Sequence, residues 1–271
     1  MQSIVIVAIK KNIEHKAFYL LAFSENRRRI GFKGDWIVDD SRNRLKAALV
    51  INVLLVLLEL NILSYRVCTS GVLILASRFQ YYAHYSNVLI LLSSIGLITG
   101  LVSQLRGKRE RIWYPVRLLR YMAVSSAVLT MVVVILFILP LEGFSHVSTI
   151  LFGGSHFYEY IACPLLAYLS FVMLGDVSDY GKREMIIASC PAFIYSVVML
   201  VLNALGVVSG PYVFLRVREQ STGMTIFWFI VGNALSYVVS AVLLTVAHME
   251  SRNSSGKNGS SSAEAEKFSK N

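Results

Sequence analysis

Long apolar runs separated by short polar stretches dominate the chain. Six runs approach the ~20 residues that a membrane-spanning helix needs. They are Ala47–Leu63, Tyr85–Leu105, Tyr121–Leu141, His156–Leu174, Met185–Val208 and Thr225–Ala247. Their apolar character continues all round the helix, which excludes amphipathic surface helices. The pattern predicts an all-α integral membrane protein with six transmembrane helices. No internal repeat is evident, so an inverted-repeat transporter is not indicated. The expected division is a basic N-terminal segment (1–45), a six-span membrane domain (46–248) and a disordered polar tail (249–271).

Lys and Arg orient the helices, because cytoplasmic loops collect positive charge. Counted as loop residues, twenty-two fall in the N-terminal segment, the second-to-third loop, the fourth-to-fifth loop and the tail. Only Arg66, Arg78, Arg216 and Arg218 fall in the alternate loops. The imbalance predicts that both termini are cytoplasmic in a multi-pass protein of the cell membrane.

Composition agrees with this class. Only 15% of residues are charged, whereas a soluble domain carries about 25%. The net charge of +10 is spread between apolar runs, so its expected partners are membrane lipids and not nucleic acid. Ser3–Ile9 is a short apolar stretch followed by Lys10 and Lys11, with no basic region before it. It reads as a poor signal peptide, and as either an interfacial helix or sequence upstream of a natural start. Cys68, Cys163 and Cys190 form neither a disulfide framework nor a zinc motif.

Polar residues inside the runs carry the candidate chemistry, because charge in hydrocarbon is costly and faces a bundle interior or a cavity. Glu59 lies thirteen residues beyond Lys46 on an outward-running helix. That places it ~20 Å into a ~30 Å core. His84 and Asn87 open the second span on one helical face. His156, Glu159, Tyr160 and Cys163 share a face at the start of the fourth span. Asn203 lies near the outer end of the fifth span, and Asn233 about two turns into the sixth. All fall in the outer half. Together they predict an outward-opening polar pocket for a lipidic or small-molecule solute, lined by Glu59, His84, Asn87, Tyr160, Asn203 and Asn233. The alternative expectation leaves the histidines and Glu159 at the interface and the asparagines as interhelical hydrogen-bond partners.

An enzyme reading uses the same layer. His156 would act as base, oriented by Glu159 or Glu59, with Ser86 or an activated water attacking a lipid ester. No HExxH or similar spacing supports a metal, and neither a P-loop nor a GxGxxG precedes a helix, so no cofactor is expected.

Several segments resemble the bacterial six-span relatives of the androgen-induced-gene membrane hydrolases. Phe79-Gln80-Tyr81-Tyr82-Ala83-His84-Tyr85-Ser86-Asn87 is similar to that family's F-x-Y-F-T-x-x-S-N opening of the second span. His156 with Pro164 resembles its histidine-to-proline segment. Pro191-Ala192-Phe193-Ile194-Tyr195 resembles its P-x-x-x-Y element, and Gly210-Pro211-Tyr212-Val213-Phe214-Leu215 its Y-P-Y-x-F-L loop. The matches run in the same order over roughly residues 45–245. The resemblance implies a six-span fold. It also implies hydrolysis of fatty acid esters of hydroxy fatty acids, by a membrane-embedded threonine and a histidine. The histidine falls on His156, the animal offset from the proline. The bacterial offset falls on Tyr160. The threonine falls on Ala83, or on His84 if the alignment slips by one; neither has a hydroxyl, so Ser86 one turn along would have to stand in.

Overall fold

The computed structural model describes residues 35–269, apart from 79, 143–146, 175–176, 211 and 213–214. The Ser3–Ile9 stretch and part of the 210–215 motif lie outside the described residues. The fold is that of the unit Arg42–Asn271. Among the described residues all regular structure is helical: α1 (Asp35–Arg78), α2 (Tyr82–Leu105), α3 (Tyr114–Val133), α4 (Leu139–Glu142), α5 (Val147–Phe152), α6 (Cys163–Leu174), α7 (Lys182–Ala204) and α8 (Thr222–Ser269). Among the described residues two π-helical segments interrupt the series, Val134–Ile138 after α3 and Tyr158–Ala162 before α6.

Among the described residues five helices are long and apolar enough to cross a membrane, and Tyr158–Leu174 is a shorter apolar helix. Their outer surface carries exposed Val50, Leu57, Leu92, Ile186, Phe193 and Val242. Water would not tolerate such a continuous apolar surface, whereas lipid matches it.

The helices extend past the apolar runs that announce them. The first apolar stretch continues to Thr69 within α1, so Arg66 is a helix residue and not a loop charge. Arg117 and Arg120 likewise belong to α3. The backbone of α8 stays helical through Ser269, across the Ser- and Gly-rich stretch that composition marks for disorder. A helix already nucleated in the apolar part propagates at little cost.

Chemistry at the ends and bends explains the segmentation. α2 and α7 stop at Gly107 and Gly206, both with positive φ. At each, the next amide reaches back five residues, Lys108 N–H to Ser103 and Val207 N–H to Leu202, as in a Schellman motif. Each π segment ends two residues before a proline, Pro140 or Pro164. Proline donates no hydrogen bond and its ring crowds the carbonyl four residues back, so the turn before it widens.

α3 is the hub, packed against α2, α6, α7 and α8. α2 approaches α3 and the segment just before it through Gly96 and Gly100, where an added Cβ would stand 3.1 Å from Val116 Cγ1 and 2.9 Å from Ile112 Cγ2. This small-xxx-small spacing is a membrane packing device. Tyr121 and Phe171 stack at 5.5 Å, and the Tyr121 hydroxyl donates to the Ser240 carbonyl at 2.6 Å. α1 makes few close backbone approaches among the described residues. Long side chains tie it in: Asn52 Nδ2 donates to Ser170 Oγ at 2.7 Å, and Arg66 pairs with Glu159.

Candidate functional site

Because α1 and α2 keep their backbones apart, a groove of about 450 Å3, partly open, runs between them. Glu59, Ile62, Leu63 and Arg66 line it from α1 at i, i+3, i+4, i+7 spacing. His84, Asn87, Val88 and Leu91 line it from α2 at the same spacing. Exposed Leu63 and Val88 flank its open side.

An ionic network closes one end. Glu159, on the π segment Tyr158–Ala162, is 0% exposed. It accepts from Arg66 Nη2 and from the Ser155 hydroxyl. Arg66 is 7% exposed, and its Nη1 lies 2.5 Å from His84 Nδ1 and 2.7 Å from Nε2. His84 Nδ1 stands 4.0 Å from the Glu159 carboxylate. Arg66 thus holds α1, α2 and the π segment together.

Glu59 and Asn87 lie along the groove from this network. They are 4% and 6% exposed. The Cys163 thiol meets the Glu59 carboxyl, whose Oε1 has no hydrogen-bond partner. Both amide atoms of Asn87 and the Nε of Arg66 also lack partners. Buried polar groups are almost always paired, and an unpaired one costs about 1–3 kcal/mol. Here an acceptor, an amide and a guanidinium N–H lie buried and unpaired on residues that line one groove.

The other predicted residues are elsewhere. Asn203 clasps the loop after α7: Nδ2 donates to the Val208 carbonyl at 2.9 Å, and Oδ1 accepts from Val217 N–H at 2.8 Å. Asn233 donates to Ser196 Oγ at 3.2 Å and lines a separate cavity of about 650 Å3 with Tyr82, Tyr195, Tyr212 and Trp228. His156 stacks on Tyr160 with centroids 5.3 Å apart, and its buried Nδ1 has no partner. Ser86 Oγ donates to the Ala83 carbonyl at 2.8 Å and sits 3.2 Å from Thr130 Oγ1. Among the described residues no hydrogen bond joins Ser86 to a histidine. Among the described residues no group of three His, Cys, Asp or Glu converges as a metal site.

Sequence reasoning brought Glu59, His84, Asn87 and Glu159 forward but missed Arg66. The signal was available: Arg66 follows Glu59 by two helical turns, so the two share a face. Charge counting assigned it to a loop instead. Arg120 was missed for the same reason. It is 1% exposed inside α3.

No family model, curated protein or solved structure matches this chain.

Proposed function

We propose that this is a six-span protein of the cell membrane, with both termini cytoplasmic, that binds the polar head of a small or lipidic solute in the groove between α1 and α2. The unpaired Glu59 Oε1 and Asn87 amide, buried in one cavity beside Arg66, carry the reading. A solute offering donors to Glu59 Oε1 and Asn87 Oδ1 and acceptors to Asn87 Nδ2 and Arg66 Nε would complete all four. The unpaired carboxyl oxygen of Glu59 is an acceptor, which favours a head bearing an ammonium or hydroxyl donor.

Two features support six spans. Backbone helix runs from 156 through 174, ~28 Å at 1.5 Å per residue and close to the hydrocarbon thickness. With Arg66, Arg117 and Arg120 removed from the loops, twenty basic residues still stand against three. The ordered motif resemblance supports membership of the androgen-induced-gene-like family. The ester hydrolase reading rests on that resemblance, and solute binding has the stronger support in the groove.

Two experiments test the proposal. Cys68 is exposed near the outer end of α1. In a variant keeping only this cysteine, a membrane-impermeant maleimide should label it in intact cells. Labelling only after permeabilisation would reverse the orientation. For binding, wild type and Glu59→Gln/Asn87→Leu in phosphatidylcholine nanodiscs are melted with ethanolamine, glycine, glycerol or monoacylglycerol. At least one should raise the Tm of the wild type and leave the variant unchanged. Equal responses in both proteins would sink the groove as the binding site.

A further inference from the structure

Arg120 lies at the other end of the bundle and has no carboxylate partner among the described residues. It projects from α3 and ties three helices together. Its Nη1 donates to Ser93 Oγ at 3.3 Å and Ser94 Oγ at 3.1 Å, and its Nη2 to the Ala167 carbonyl at 3.2 Å. Those are neutral acceptors. Nε has no partner, and one N–H of Nη2 is left over. An arginine grips a carboxylate or phosphate two-pronged with such a pair.

A small, partly open cavity adjoins it, walled by Leu97, Ile112, Phe171, Leu174, Arg117 and Arg120. Arg117 is already neutralised: Nη1 and Nη2 reach the two oxygens of Asp179 at 2.9 and 2.8 Å, and Nε donates to the Ile112 carbonyl. Arg120 is not. The cavity wall therefore carries one uncompensated positive charge beside the Arg117–Asp179 pair and Tyr180, with the rest of the lining apolar. A buried charge lacking a counter-charge is strongly unfavourable. Six residues into α3, Arg120 sits ~9 Å from the helix start, within reach of the headgroup level.

We infer that this cavity is an anion site, in which Arg120 receives a carboxylate or phosphate group. A group entering from the open side would meet Arg120 with its oxygens and the apolar walls with the first carbons attached to it. The group comes either from an acidic membrane lipid or from a free anion. This site is separate from the groove, and neither depends on the other.

Melting in nanodiscs tests it in two arms. The first adds inorganic phosphate to protein in phosphatidylcholine. The second replaces part of the phosphatidylcholine with phosphatidylglycerol. One arm should raise the Tm of the wild type by about 5 °C, as saturating binding to the native state alone would. A response to phosphatidylglycerol alone identifies a lipid headgroup, and a response to phosphate alone a free anion. Arg120→Gln should lose the shift. Leu174→Phe, which keeps the arginine and fills the cavity, should lose it too. No shift in either arm overturns the site and leaves Arg120 as a helix tie. So does an equal shift in Arg120→Gln, because the chain's general basicity would then explain it. If Arg120→Gln fails to fold, a full shift in Leu174→Phe decides against the site.

Discussion

Arg66 and Arg120 are both buried arginines, yet the protein accommodates them differently. Arg66 meets the fully buried carboxylate of Glu159, with His84 beside it. Arg120 meets two serine hydroxyls and a backbone carbonyl. In the first case removing either partner strands a charge. In the second, removing the arginine strands only neutral groups. Buried charge is therefore not equally costly to delete at the two ends of one bundle, although both residues hold helices together.

The largest expected effect follows from that asymmetry. Arg66→Ala should destabilise the protein by about 3–5 kcal/mol, because Glu159 is left buried and uncompensated. The measure is the unfolding midpoint in detergent. Adding Glu159→Gln to Arg66→Ala should recover much of the loss. A double variant as weak as the single one would mean that packing of the long side chain, and not charge, is what matters.

Arg120→Met should cost less, about 1–3 kcal/mol, since Ser93 already donates to the Ile90 carbonyl and only neutral acceptors lose a donor. A loss larger than that of Arg66→Ala would erase the contrast between the two ends.

Asn203→Ala should cost about 1–2 kcal/mol and loosen the loop after α7, because both amide atoms bond across it. Proteolysis within 205–217 reads this directly. Activity or binding at the groove should be unchanged, since Asn203 does not line it.

The smallest effect is acid dependence at Arg117 and Asp179. The Arg117 guanidinium holds the Asp179 carboxyl down at about 2. A depressed carboxyl pKa adds stability that is complete above the ordinary value near 3.9 and is lost as pH falls through about 2. Asp179 is more than a third exposed, so solvent screening limits the pair to about 1 kcal/mol or less. Asp179→Asn should flatten the fall of Tm between those pH values. An unchanged slope would assign the acid sensitivity to other carboxylates.

The membrane helices were legible because apolar runs near the length of a bilayer have few other uses. Glu59, His84 and Asn87 were legible because helical spacing predicts a shared face. Arg66 and Arg120 were not, because each stands beyond the apolar run that marks its helix, where charge reads as loop. Asn203 and Asn233 look alike in the sequence, as lone asparagines in apolar helices. Only the positions of the 205–217 loop and of Ser196 separate a loop clasp from a cavity wall. His156 stood out by chemistry and by resemblance, while its surroundings, a stack on Tyr160, depend on tertiary packing.

The π segment that carries Glu159 has a consequence for insertions and deletions. Such a segment accommodates one residue more than the α-helix it replaces. Deleting one residue from Tyr158–Ala162 would let regular helix close over the gap with the turns on either side still in phase. Ser155 and His156 would keep their bearing relative to α6, whereas Glu159, inside the segment, would move off the line to Arg66. A single-codon change could thus break the ion pair while leaving the rest of the fold in register.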